Sequence, residues 1–171
     1  MKARFGFLLA AAVLAGALAA ALVAACSAPA YQAKANEEIY GSWLAQKAAQ
    51  QRLVIGTGVL ENFSLVDDSK PYNACSQVIT ARWKDAEGSL WYKTSVTITG
   101  GLGGQKGSKW QTLNRVSPSG TMMEIMAVPV RDFDPRGYPE KLDPASESYA
   151  VYQRDSRAAF PHAVLYGDAW K

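Results

Sequence analysis

The sequence predicts an all-β domain, or a β-rich α+β domain with one short helix, built from antiparallel strands. Two runs of period-two alternation and a regular spacing of turn residues carry that expectation. Successive strand side chains point to opposite faces of a sheet, so alternating apolar and polar positions suit a half-buried strand and not a helix. Val78, Thr80 and Arg82 alternate with Ile79, Ala81 and Trp83. After Asp85-Ala86-Glu87-Gly88, Leu90, Tyr92, Thr94, Val96 and Ile98 alternate with Trp91, Lys93, Ser95 and Thr97. A Gly-containing turn between two such runs is a hairpin signal.

The chain begins differently. Residues 1–25 of the 171 hold two charges, Lys2 and Arg4, ahead of an uncharged Ala- and Leu-rich run from Phe5 to Ala25. A basic start and an apolar stretch form the first two parts of a secretory signal. Val23-Ala24-Ala25-Cys26 resembles the bacterial lipobox, in which an aliphatic and two small residues precede a cysteine that is acylated and becomes the mature N-terminus. Residues 1–25 then form a lipoprotein signal peptide, and residues 26–36 a small, polar, Ala-rich lipidated tether. Two other readings stay open: ordinary cleavage near Ala28-Pro29-Ala30, and a retained helix, since about 21 uncharged residues are long enough to cross a bilayer. Ser27 follows the cysteine where an Asp would favour inner-membrane retention. In a two-membrane bacterium the resemblance to the lipoprotein sorting rule then implies the outer membrane of the cell envelope, facing the periplasm or the outside, with the bilayer as partner through acylated Cys26.

Beyond the signal, roughly 146 residues remain, one domain at that length, over 37–171. Whole-chain net charge is +3, and without Lys2 and Arg4 it falls near +1. No basic cluster is left to meet phosphates, so nucleic acid is not an expected partner. About 16 aromatics give the core enough apolar area to offset chain entropy, which excludes a disordered chain. With Cys26 acylated, Cys75 stands alone, so the fold is held by its core and not by a disulfide.

In chain order, Asn36–Gln51 is a helical competitor, with Ile39, Trp43 and Leu44 on one face among good helix formers. Strands follow at Leu53–Ile55 and Val59–Val66, then the hairpin already described. A second hairpin joins Trp110–Val116 to Thr121–Val130 through Ser117-Pro118-Ser119-Gly120, which places Pro and Gly favourably for a turn. Tyr149–Arg154 and Ala163–Tyr166 complete the set.

A wider similarity runs along the chain. Glu38-Ile39-Tyr40-Gly41-Ser42-Trp43, Gln51-Arg52-Leu53-Val54-Ile55, Arg82-Trp83-Lys84-Asp85-Ala86-Glu87-Gly88-Ser89-Leu90-Trp91-Tyr92-Lys93 and Tyr149-Ala150-Val151-Tyr152-Gln153-Arg154 resemble, in order, an uncharacterised family of bacterial lipoproteins with a lipocalin-like domain. The resemblance implies a small up-and-down barrel whose first strand opens at Gly41 and whose base is closed by Trp43. It also implies that Arg154 stacks on Trp43, for which a cation–π attraction supplies the reason. The Gly-rich insert after Thr99, the residues beyond Asp155 and the Ala/Gln-rich Ala45–Gln51 depart from the family pattern.

An eight-stranded barrel is either filled by its side chains or holds one small ligand. Inward candidates are Trp83, Val96, Ile98, Trp110, Met123, Ile125 and Tyr152. A ligand cup would open beside the mobile Gly100–Gly107 loop, so Trp110, Tyr92, Trp91, Gly103 and Gly104 are the candidate binding residues, with Tyr92 on the face of Val96 and Ile98. Catalytic signatures fail. His162 is the single histidine, no Gly-x-Ser-x-Gly elbow occurs, and His162 and Cys75 are too isolated to hold a metal. The glycines at 100–107 miss both phosphate-loop spacings. Arg136 and Pro135 spoil a calcium loop starting at Asp132, and Asp67-Asp68 reads as a solvated turn. The sequence thus points to a non-catalytic lipoprotein, with no cofactor, that binds a small apolar ligand or an envelope protein. The alternative is an inhibitor or immunity-type lipoprotein whose Asp132–Glu147 loop plugs another protein's active site. Cys26→Ala should leave an unprocessed or soluble form, because stable tethering needs two or more acyl chains; unchanged partition into membranes would revive the helical anchor.

Overall fold

The structure is a computed structural model, described here for residues 31–47, 51–66, 69–130 and 137–155. The expected signal peptide, Cys26, Asp67-Asp68, residues 131–136 with the start of the Asp132–Glu147 loop, His162 and the strand expected at Ala163–Tyr166 lie outside the described residues. Eight antiparallel strands run up and down in sequence order: β1 Gly41–Ala45, β2 Gln51–Gly56, β3 Val59–Ser64, β4 Asn73–Lys84, β5 Leu90–Gly100, β6 Lys109–Val116, β7 Met122–Val130 and β8 Tyr149–Arg154. Each pairs with the next, and β1 pairs with β8, so the sheet is a closed barrel, consistent with a lipocalin-like fold.

Among the described residues there is no helix, which corrects the competitor at Asn36–Gln51. That segment turns at Glu37, where Tyr40 N donates to Glu37 O at 3.0 Å, and then enters β1. The helix-forming residues lose because β1 has two partners to satisfy, with Trp43 opposite both Leu53 and Arg154. A barrel lacking that seam would expose two strand edges. The Val59–Val66 expectation ends early, since β3 stops at Ser64 and Val66 is 75% exposed.

The closed end of the barrel is built on Trp43, which is fully buried and donates through Nε1 to Ile39 O at 2.9 Å. Arg154 lies over the indole at 4.1 Å from its centroid. Its guanidinium also donates to the carbonyls of Gly120 at 2.6 Å and Tyr40 at 2.9 Å, so the charge is solvated by backbone dipoles instead of water. Gly41 makes room for it: a Cβ there would sit 2.6 Å from Arg154 Nη1, and the backbone φ of +132° disfavours any side chain. Leu53, Ile55, Ile79, Val116, Met123, Ile125 and Tyr152 pack around this base.

Farther along the axis the interior changes character. Gln77, Thr94, Thr112 and Asn114 are buried and face inward as a polar belt, with Thr94 and Thr112 hydroxyls 2.7 Å apart and Asn114 Nδ2 donating to Thr112 Oγ1 at 2.7 Å. Gln77 Nε2 donates to Thr94 Oγ1 at 3.3 Å. Above it Cys75, Val96 and Ile98 form a second apolar cluster with Leu60 and Trp110. Burial pushes the Cys75 thiol up to about 12, so it behaves as a small hydrophobe and not as a nucleophile.

One inward expectation is overturned. Ile79 stands opposite Thr94 but Ala81 stands opposite Lys93, so Thr80 is an extra residue on β4. Such a bulge shifts the side-chain phase by one position. Cys75, Gln77 and Ile79 face the interior before it, and Arg82 does so after it. Trp83 is therefore outside the barrel, 40% exposed. Trp43→Ala should lower unfolding stability by about 3 to 5 kcal/mol, measured by urea titration of a protein with a β-dominated circular dichroism spectrum; Trp83→Ala should cost far less. Equal effects would contradict this assignment of inside and outside.

Candidate functional site

The residues expected to line a ligand cup are scattered. Tyr92 faces inward as expected, but at the closed end. Along β5 it sits eight residues before Gly100, roughly 27 Å at strand rise, and it is fully buried. Its hydroxyl donates to Glu38 Oε2 at 2.8 Å and accepts from Arg82 Nε at 3.4 Å. Arg82 also meets Glu37 at 3.1 Å, so the segment entering β1 is clamped over this ring. Desolvation raises the Tyr92 phenol far above its ordinary range. Tyr92 therefore cannot line a mouth near the Gly100–Gly107 loop.

That loop is docked and not free. Leu102 N donates to Pro71 O at 3.2 Å and Gly103 N to Tyr72 O at 2.8 Å. A Cβ at Gly103 would stand 2.7 Å from Asn73 Oδ1 and 3.0 Å from the Tyr72 ring, so the glycine permits close packing and does not confer mobility. Gly104, with φ of +67°, turns the chain beyond it. Trp110 does face inward beside the loop, opposite Val96 and half-buried in the upper cluster. Trp91 is on the outer wall, at the other end of its strand.

The bulge brings Trp91 a partner that strict alternation denied it. Trp83 and Trp91 are cross-strand neighbours with ring centroids 5.8 Å apart and planes within 10°, an offset stack. Arg115 lies over Trp91 at 5.5 Å from its centroid, paired in turn with Glu124. Asp85 fixes the orientation of Trp91. Its Oδ1 accepts from Glu87 N at 3.0 Å and Ser89 N at 2.9 Å, and its Oδ2 accepts from Trp91 Nε1 at 2.8 Å. The Asp-x-Glu-Gly turn is thus an Asx turn whose second oxygen aims an indole. The Trp91 hydrogen bond, more than the backbone donors, holds the Asp85 carboxyl below its usual range.

A wall closes the other side. Ser148 O accepts from Ala127 N on β7, while the Tyr138 hydroxyl is 2.6 Å from Ser95 Oγ and 2.8 Å from Thr80 Oγ1. The segment 137–148 therefore crosses the outside of β6, where Leu113 is only 2% exposed although it faces outward. Lys93 Nζ lies over the Tyr138 ring at 5.4 Å from its centroid. Between wall and tryptophans runs a groove of about 530 Å³ lined by Ala81, Trp83, Asp85, Trp91, Lys93, Leu113 and Glu140. That volume is within the range of small-molecule sites.

No family model, curated protein or solved structure matches the chain. The sequence singles out Trp91 as a binding candidate, whereas alternation puts Trp83 on the wrong face; Lys93 lies in the stretch that carries the resemblance but with no role attached, and Leu113, Tyr138 and Glu140 carry no motif. Only the Asp85 turn was a legible signal, since an Asp opening a Gly-containing turn commonly accepts from the backbone two residues on.

Because the Asp85 carboxyl is held low in the folded state, its contribution is complete above the ordinary aspartate value of 3.8 and is lost as pH falls through and below it. Tryptophan emission should accordingly shift in acid before global unfolding. Asp85→Asn should abolish that step and, by facing an amide donor to Trp91 Nε1, give the shifted emission already at neutral pH. An acid step that survives in Asp85→Asn would assign it to another carboxyl.

Proposed function

We propose that this chain is a non-catalytic binding lipoprotein of the bacterial envelope, tethered through acylated Cys26, that holds a small ligand in the groove on its outer wall. The preorganised Trp83–Trp91 stack at that groove is the observation that carries the reading. Trp91 is oriented by Asp85 and by Arg115, and Trp83 is stacked on it, so little order has to be created on binding. Among the described residues the groove lining contains no hydroxyl, thiol or imidazole, and both oxygens of Asp85 are engaged. These features suit recognition better than chemistry. The lipobox at Val23-Ala24-Ala25-Cys26 and the ordered landmarks from Glu38 to Arg154 support membership of the lipoprotein family with a lipocalin-like domain. A ligand cup at Trp110 is the neighbouring reading, supported by that ring's half-buried place in the upper cluster. In the inhibitor alternative, the loop Asp132–Glu147 would enter a partner. Its described part, 137–147, is engaged as the groove wall through Tyr138, which favours the binding reading.

Extracted in detergent, the protein should change its tryptophan emission with the low-mass fraction of its own envelope. Trp83→Ala should abolish the response and Trp110→Ala should leave it. The opposite pattern would move the site to the barrel mouth, and no response from the wild type would remove the small-ligand reading.

A further inference from the structure

The ligand class can be narrowed from the groove's own polarity, and this step rests on the binding reading above. The apolar part of the lining is Ala81, Leu113 and the uncovered parts of two offset indoles. The polar part, with Lys93 lying between Ala81 and Leu113 in the sheet, carries no excess charge available to a ligand among the described residues. Asp85 is committed to Glu87 N, Ser89 N and Trp91 Nε1. What remains is one carboxylate, Glu140, and one ammonium, Lys93. An anion would be repelled by the first and a cation by the second, so neither sign is selected.

Acyl chains fit poorly for a different reason. They require continuous apolar enclosure, and here they would desolvate Lys93 and Glu140 without supplying a hydrogen bond to either. A neutral ligand with one apolar face and a rim of groups that both donate and accept satisfies every lining residue. Pyranose sugars have that construction. Their axial C–H groups carry slight positive charge and stack on the negative face of an indole. Their hydroxyls can donate to the Glu140 carboxylate and accept from the Lys93 ammonium. Because the two indoles are offset and Trp83 is 40% exposed, ring area stays uncovered at the groove for a sugar face. We infer that the Trp83–Trp91 groove is a carbohydrate-binding site that takes neutral pyranose units of a glycan.

The test uses the full lipidated protein in a polyoxyethylene detergent, because a detergent with sugar headgroups would compete. The probes are chitotriose, cellotriose and maltotriose, with adenosine as a planar ligand and decanoate as an acyl one, followed by tryptophan emission and calorimetry. At least one trisaccharide should bind saturably. Trp83→Ala should weaken it tenfold or more, Glu140→Gln at least threefold, and Trp110→Ala should have no effect; unchanged circular dichroism shows that each variant is folded. Absence of binding by all three trisaccharides overturns the inference, as does binding that Trp83→Ala leaves intact. If adenosine or decanoate binds instead, and Trp83→Ala abolishes it, the glycan inference fails while the binding reading stands. If no probe binds and the low-mass envelope fraction gives no response either, both fail.

Discussion

Closure of the barrel depends on one contact, the Arg154 guanidinium laid over the Trp43 ring at the seam between β1 and β8. A sheet of eight strands has two edges until its first and last strands meet, and those edges are the usual liability of antiparallel folds. At this seam the backbone ladder of β1 and β8 is reinforced by side chains from the two ends of the domain. The guanidinium binds carbonyls of Tyr40 and Gly120 while covering the indole, so one residue ties together the entry to β1, the β6–β7 turn and the base of the core. Gly41 is part of the same device, because only a residue without a Cβ leaves space for the charged group.

The interior above this base is layered rather than uniformly apolar. A belt of Gln77, Thr94, Thr112 and Asn114 separates the lower cluster from the one at Trp110. Buried polar groups are costly unless paired, and these are largely paired with one another across β4, β5 and β6. Such a belt fixes strand register more sharply than apolar packing, since a slip of one residue would leave several amides and hydroxyls unpaired. Leu60 packs against both clusters, so the belt divides the interior without isolating its smaller upper part.

A single extra residue then decides what the outer wall can do. Thr80 shifts the phase of β4, sending Arg82 inward to meet Glu37, Glu38 and Tyr92 and turning Trp83 outward to meet Trp91. The closed-end ion cluster and the aromatic groove are consequences of the same bulge. Thr80 is itself held by the neighbours it displaces, with its hydroxyl 3.1 Å from Lys93 O and 2.8 Å from the Tyr138 hydroxyl. The wall of the groove is thereby fastened at the point where the strand is irregular.

Local pattern determined most of the strands in this chain. The alternation from Leu90 to Ile98, the turns at Asp85–Gly88 and Ser117–Gly120, and the strand at Tyr149–Arg154 are all set by neighbours within a few residues, and all are legible. Closure into a barrel was reached only through the resemblance, because the partners Trp43 and Arg154 lie at opposite ends of the domain. Segment 36–51 was ambiguous for the same reason: its helix formers are local, whereas the two strands that claim β1 are remote. Alternation also placed Tyr92 on the correct face but not at the correct end, since periodicity reports which way a side chain points and not how far along the axis it sits. The bulge at Thr80 was invisible, because nothing in Ile79-Thr80-Ala81 distinguishes a residue that pairs from one that is skipped. Trp83, Lys93 and Glu140 came together only once the register of β4 against β5 and the path of 137–148 across β6 were fixed, and both are properties of long-range pairing that no window of sequence contains.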